Sequence, residues 1–338
     1  MKKSGIFTVS IDLELAWGIC DKPIGTTASS ALMREREIIQ RLLELFSRYH
    51  VQATWAVVGH LLLDRCHWQN ERVHPEISRP IVRNEKRDWF FQHPNHPGDD
   101  RWYGRDIVEW IRSASPRQEI GSHSFCHMPY DEAMTAADAV SEDIRRAKEL
   151  HEALRLPFEV FIFPRNRVGY RPLLAQAGLR AYRGNSHRWY DSLPFPCIRR
   201  AFNLLSFIVP VTPQTVQPTV DETGMINIPD SMLLFGREGL RRVVSPNALA
   251  RKAIRGLERA VKRSEIFHLW FHPANFAHAM EGQFAAFETI LGHARRLRDA
   301  GRLEIRTMGD IHRSAVHSPG WNVPRLEQRK TGAFAAPV

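Results

Sequence analysis

Residues 6–13 and 51–58 are apolar, β-branched runs of strand length, and residues 31–49 between them carry Ile38, Leu42, Leu45 and Phe46 on one helical stripe. Strand, helix and strand in this order, with Gly59 breaking the second strand, form a βαβ unit. Strands joined through a helix run parallel, and a parallel sheet must be covered on both faces. This feature narrows the fold to an α/β barrel or an open doubly wound sheet. In either, active sites collect at the carboxyl ends of the strands.

The alternation continues along the chain. Helices are expected over 106–113, 133–154, 171–177, 247–263 and 282–300, and strands over 119–122, 159–163 and 266–271, with 303–307 closing the sheet. Three stretches break the rhythm. Residues 66–105 are rich in His, Pro, Asn, Arg and Trp and show no period, as functional or disordered loops of that length do. Trp89, Trp102 and Tyr103 favour an ordered insertion near a site. Residues 203–230 are rich in Pro and Thr and resist assignment, and residues 314–338 read as a loosely ordered tail. The expected organisation is one domain over 1–313, with a loop insertion at about 66–105, followed by that tail.

A chain of 338 residues, 43% apolar and 25% charged, can bury a core without disulfides. Cys20, Cys66, Cys126 and Cys197 are scattered without a CxxC pair and read as reduced thiols, as in a cytoplasmic protein. Asp12 and Glu14 interrupt the first apolar run, against a signal peptide, and no stretch of about 18 uncharged apolar residues is present to span a membrane. The 47 Lys and Arg against 37 Asp and Glu leave a net charge of +10, which draws anionic partners and allows weak contact with a membrane surface. The arginine pairs 145–146, 199–200, 241–242 and 295–296 fall where solvated helix faces are the commoner explanation. No nucleic-acid-binding signature accompanies them, so nucleic acid is not expected as a partner.

Three strand ends carry ionisable residues that an apolar core would not select. In Ser10-Ile11-Asp12-Leu13-Glu14, Asp12 and Glu14 lie two apart and share a face, which is unfavourable unless a cation or proton compensates. A surface carboxylate pair is the plainer alternative. In Gly121-Ser122-His123-Ser124-Phe125-Cys126-His127, two histidines four apart meet one metal if the chain turns helically between them. Sixteen histidines guarantee chance pairs as well, and His93 with His96, beside Pro94 and Pro97, reads as one. In Phe267-His268-Leu269-Trp270-Phe271-His272-Pro273, His268 is deep enough to be a satisfied core histidine, and His272 at the end is the better catalytic candidate.

The combination, in this order, resembles the NodB-homology or polysaccharide deacetylase family. The resemblance spans about 5–310 and rests on Asp12-Leu13-Glu14, on Ala53-Thr54-Trp55-Ala56-Val57-Val58-Gly59, and most specifically on Glu119 to His127 with its E-I-G-x-H-S-x-x-H pattern. Phe163-Pro164-Arg165-Asn166 and the late His272-Pro273 complete it. The chain departs from the family at its first motif, where Leu13 replaces the second Asp of T-F-D-D-G and Glu14 follows, as in a D-x-E branch. R-x-P-[YW] and D-x-W have no counterpart, and Arg165 is the nearest positive residue to the expected base.

The resemblance implies a distorted (β/α) barrel of the NodB type and a metal-dependent hydrolase that removes an N-acyl group, acetyl foremost, from an amino sugar of a polysaccharide or its precursor. Glu14, His123 and His127 are the implied ligands of a divalent metal, zinc foremost, with cobalt or nickel as alternatives. Asp12 is the implied base, in a role exchangeable with that of Glu14, while His272 protonates the leaving amine and Arg165 orients Asp12. A backbone N–H of the 165–167 turn is expected to help hold the oxyanion. Trp89, Trp102 and Tyr103 would stack on the sugar or pack against the body. The substrate is an N-acylated amino sugar, with nucleotide- or lipid-linked forms suiting the basic charge and a cytoplasmic location. The alternatives are hydrolysis of a non-sugar amide C–N bond and a non-catalytic sugar-binding or assembly protein with the same fold.

Overall fold

The computed structural model describes residues 4–317, apart from 22, 81–87, 94–98, 187–194, 196–197, 199–201, 203, 208 and 210. Its centre is strand β1 (Gly5–Leu13), buried along its whole length because it has neighbours on both sides and layers on both faces. β1 is flanked by β2 (Thr54–Val57) and β11 (Ile266–Phe271), both parallel to it, in registers that set Ser10 against Thr54 and Trp270. Beyond β2 follow β5 (Glu119–Ser122), β6 (Val160–Ile162), β7 (Ala181–Arg183), β9 (Ile226–Asn227) and β8 (Thr219–Val220). β10 (Met232–Leu233) pairs with β11 on the other side. Among the described residues, only the β8–β9 hairpin brings an antiparallel pair into this sheet's strands, and the sheet curls into an open half-barrel.

The helices cover the outer face. α1 (Thr26–Tyr49) buries Ile38, Ile39, Leu42, Leu45 and Phe46, the stripe read from the sequence. Burying each such side chain contributes about 1.5–3 kcal/mol. α2 (Arg105–Ser113), α3 (Ala137–Ala153), α4 (Arg171–Ala177), α5 (Pro246–Arg263) and α6 (Met280–Asp299) continue this layer. α5 comes close enough to β11 that a Cβ on Gly256 would lie 2.3 Å from the Phe267 ring. A side chain at 256 would therefore pry helix from sheet.

The segment expected to close the sheet does something else. β12 (Leu303–Ile305) pairs with the first three residues of β1, below the point where β2 takes over, so it fills a gap beside the central strand and closes nothing. α7 (Met308–His317) then turns under the half-barrel and drives Met308 and Ile311 against Ile6, Val160, Ala181 and Ile266. Glu119 secures this plug by accepting hydrogen bonds from Thr54 Oγ1 at 2.6 Å, Thr307 Oγ1 at 3.0 Å and Gly309 N at 3.0 Å. The tail expected from 314 therefore begins inside α7, and 318–338 lie outside the described residues.

The described part of the 66–105 insertion is ordered. It holds a small hairpin, β3 (Trp68–Gln69) and β4 (Arg72–Val73), whose turn residues Asn70 and Glu71 both have positive φ, as a type I′ turn requires. Trp89, Trp102 and Tyr103 are buried, and the Trp89 indole donates to the Cys126 carbonyl at 3.0 Å. These aromatics pack against the body; their faces are not presented for a sugar.

Candidate active site

The inner lane of β1 grades from apolar to charged: Ile6, Thr8, Ser10, Asp12. The lane of β11 beside it runs Ile266, His268, Trp270, and then His272 just past the strand. The plug seals the apolar ends, so chemistry is left to the carboxyl ends. His268, midway along, bonds Ser10 Oγ at 2.8 Å and the Pro229 carbonyl at 3.1 Å, which uses both ring nitrogens.

At the mouth, one oxygen gathers three imidazoles. Glu14 Oε1 lies 2.9 Å from His123 Nε2, 3.0 Å from His127 Nε2 and 3.3 Å from His272 Nε2. Asp12 Oδ2 lies 3.7 Å from the same His272 nitrogen. Burial pushes the pKa of both carboxyls up, but their neighbours outweigh it: the His127 and His272 imidazoles hold Glu14 well below the usual range, and the Arg183 guanidinium holds Asp12 low. His272 is pushed up to about 9, because Glu14 and Asp12 overcome the opposing effect of burial. His127 is shifted down by burial, in spite of Glu14.

The two motif histidines do not meet through a helical turn. β5 ends at Ser122, and the chain reverses through Ser124 and His127, whose φ values of 68° and 57° are left-handed. Such conformations are costly for residues with a Cβ and persist only when the surroundings impose them. Asp143 of α3 imposes this one. Its carboxylate accepts the backbone N–H of Phe125 at 2.8 Å and of Cys126 at 3.0 Å, and the Tyr130 hydroxyl at 2.9 Å.

Arg165 is not the partner of Asp12. Its guanidinium pairs with Asp21 at 2.6 Å, because its left-handed backbone (φ 57°) turns it toward the segment after Glu14. Asp12 is held by Arg183, with one guanidinium nitrogen on each carboxylate oxygen at 2.7 Å. Arg183 also donates to Ser10 Oγ at 3.0 Å and Asn166 Oδ1 at 2.9 Å, and lies 4.2 Å from the Trp270 ring centroid. The 165–167 turn gives little to an oxyanion, since the N–H groups of Asn166 and Arg167 are bound to the carbonyls of Phe163 and Pro164.

The residues fit a divalent cation. Donor atoms of Glu14, His123 and His127 lie within 4.8 Å of one another. His123 donates its Nδ1 proton to the Ile162 carbonyl at 2.7 Å, which turns Nε2 toward Glu14. Such a backbone acceptor behind an imidazole commonly fixes the tautomer of a metal ligand. Two imidazoles and one carboxylate form a three-ligand set suited to zinc, and the mouth leaves room for water and substrate. A cleft of about 580 Å³ opens there, lined by Asp12, Glu14, His272 and, from α1, Glu35. Burial and the nearby Glu14 raise the Glu35 carboxyl to about 8, so it is protonated at neutral pH.

Sequence reasoning missed Arg183, Asp143 and Glu35. Two of them left a trace. Asp143 falls among Val140, Ile144 and Ala147 on the buried face of α3, and Glu35 precedes Ile38, Ile39 and Leu42 on that of α1.

No family model and no curated protein matches the sequence. Solved structures match in three dimensions. A protein designated a polysaccharide deacetylase from Mycobacterium smegmatis is 15% identical, with a TM-score of 0.63 over 98% of this chain and 96% of the other. One so designated from Pseudomonas aeruginosa PAO1 is 12% identical, with a TM-score of 0.59 over 93% and 92%. Puue allantoinase is 12% identical, with a TM-score of 0.58 over 94% and 92%. At these identities the likeness establishes the fold, which is that of the NodB-type deacetylases.

Proposed function

We propose that this chain is a metal-dependent hydrolase of the NodB type that removes an N-acyl group, acetyl foremost, from an amino sugar of a polysaccharide or its precursor. The observation that carries this reading is the convergence of His123, His127 and His272 on Glu14 Oε1, with Asp12 held ionised beside them. Glu14, His123 and His127 would hold zinc, cobalt or nickel. A cation so held polarises an amide carbonyl and lowers the pKa of water toward about 7.

The remaining steps belong to the chain's own groups. Asp12, charged because Arg183 neutralises it from behind, accepts the proton of the attacking water. Its approach to Arg183 rather than to the two motif histidines supports Glu14 as the ligand and Asp12 as the base. His272, protonated between two carboxylates, gives its proton to the nitrogen as the C–N bond breaks, so that a carboxylate and a free amine depart. Glu35, neutral in the cleft wall, is placed to donate a hydrogen bond to a sugar hydroxyl.

The first experiment is elemental analysis of wild type beside His123→Ala, followed by a screen of N-acylated amino sugars, including nucleotide- and lipid-linked forms. Metal that is lost in the variant, together with release of acetate, supports the reading. Turnover by a His123→Ala protein without metal sinks it. The fold likeness to an allantoinase, with a TM-score of 0.58 beside 0.63 and 0.59, favours one second reading, hydrolysis of a non-sugar amide. Cyclic amides screened beside the sugars decide between the two. No helix of the described residues is long and apolar enough to cross a membrane; a cytoplasmic location is part of this proposal.

A further inference from the structure

A second group of imidazoles lies outside this site, in the wall of the half-barrel. It is formed by His60, Cys66, His74 and His93, each less than a tenth exposed. His60 belongs to the short 3-10 turn Gly59–Leu62 that follows β2. Cys66 and His74 flank the β3–β4 hairpin, whose register sets His67 opposite His74 and so brings Cys66 within reach. Donor atoms of His60, Cys66 and His74 lie within 4.8 Å of one another, and His93 Nε2 is 3.2 Å from the Cys66 sulfur.

The hydrogen bonds on the outside of the cluster determine what faces inward. His60 Nδ1 lies 2.7 Å from the Phe125 carbonyl, and His74 Nδ1 lies 3.3 Å from Glu76 Oε1. Both partners can only accept, so both Nδ1 atoms carry the proton. Each Nε2 therefore presents a lone pair, and neither has a partner among the described residues. A single thiol proton cannot satisfy both of these acceptors. A cation satisfies both, and a carbonyl and a carboxylate behind the rings are the usual supports of metal-bound histidine.

We infer that His60, Cys66, His74 and His93 form a second, closed metal site of the zinc type that fastens the 66–105 insertion to the barrel. The thiolate and the imidazoles of His60 and His74 supply three ligands, and His93, beside the sulfur, supplies the fourth by drawing in, with no position left for substrate. Zinc–ligand lengths of about 2.0–2.3 Å place neighbouring donors roughly 3.3–3.7 Å apart, so the donors of His60, Cys66 and His74 draw in from within 4.8 Å, and His93, outside that set, has further to move. On binding, the Cys66 proton leaves to solvent and the sulfur becomes the ligand. Trp17 closes the site from the barrel side, its ring 4.0 Å from that of His60 and 5.1 Å from that of His93.

The test is cobalt(II) titration of the full chain stripped of metal, read by absorbance. The expected result is a thiolate-to-cobalt charge-transfer band that saturates at one equivalent, survives in His123→Ala and is lost in Cys66→Ser. No such band in wild type, or a band unchanged in Cys66→Ser, overturns the inference. X-ray absorption on the zinc-loaded wild type needs no variant. Sulfur at about 2.3 Å supports the site, and a shell of nitrogen and oxygen alone overturns it. The His123→Ala arm keeps this outcome separate from that of the proposed hydrolase site.

Discussion

The molecule gathers histidines in two places, and the contrast lies in what surrounds them. At the mouth, His123, His127 and His272 meet a carboxylate, and the walls are charged: Glu14, Asp12, and Arg183 behind them. In the wall, His60, His74 and His93 meet a thiol, and the surroundings are rings: Trp17, Phe90, Trp102 and Phe125. The mouth opens on a cleft of about 580 Å³, whereas each wall residue is buried. An open set with spare charge can move protons. A closed set walled by rings can only hold parts together. The same side chain serves either purpose, and its neighbours decide which.

The sharpest way to break this contrast is to exchange the consequences. His127→Ala should abolish turnover and the metal at the mouth while barely moving the melting temperature, whereas Asp12→Asn should keep the metal and lower kcat by about 10²–10⁴-fold, the contribution typical of a general base. Metal analysis beside steady-state kinetics checks both. If His127→Ala turns over normally, the mouth is not the site.

Arg183→Met comes next, because it strands a buried carboxylate. Loss of one partner of such a pair costs about 3–5 kcal/mol, and Asp12 should then titrate at higher pH. Chemical denaturation and the acid limb of the pH–rate profile read the two effects. An unshifted acid limb would detach Asp12 from the chemistry.

Cys66→Ser should do the reverse of His127→Ala: kcat unchanged, stability lower by about 2–3 kcal/mol as buried acceptors lose their partner, and faster proteolysis within 66–105. Equal loss of kcat would erase the distinction between the two clusters.

The smallest contrast is with a histidine outside both groups. His151 of α3 is buried, donates Nδ1–H to the Pro157 carbonyl at 2.8 Å, and is shifted by burial down to about 4. Its folded value lies below its unfolded one near 6.5, so the unfolded chain takes up the proton first. Stability is then full above about 6.5 and falls as pH drops toward 4, by on the order of 2–3 kcal/mol. His151→Asn should flatten that slope in urea melts taken across the interval, and an unchanged slope would place the acid sensitivity elsewhere.

How much of this was legible in the chain depended on element length. β1 is nine residues long and α1 twenty-four, so periodicity placed both, and with them Asp12, Glu14 and the buried stripe. β7 has three residues, too few to alternate, and so Arg183 passed unnoticed although it holds the expected base. The strand at 303–307 was visible, but its place beside β1 was not, because register is decided by neighbours far along the chain. The wall cluster was hidden for a similar reason. His60, Cys66, His74 and His93 follow no metal-binding spacing, and only the hairpin and the packing of 88–93 bring them together.

The parallel pairing of β1 has a consequence for how the protein is made. Ile6 is partnered by Ile266, 260 positions later, and Gly5 by Leu303. At roughly 5–20 residues per second, the ribosome leaves the central strand with one bare edge for about 13–50 seconds. During that interval the nascent chain already displays Asp12, Glu14, His123 and His127 but lacks His272 and the plug of α7. An unpaired apolar edge is an aggregation hazard, and the growing chain carries it until the last strands emerge.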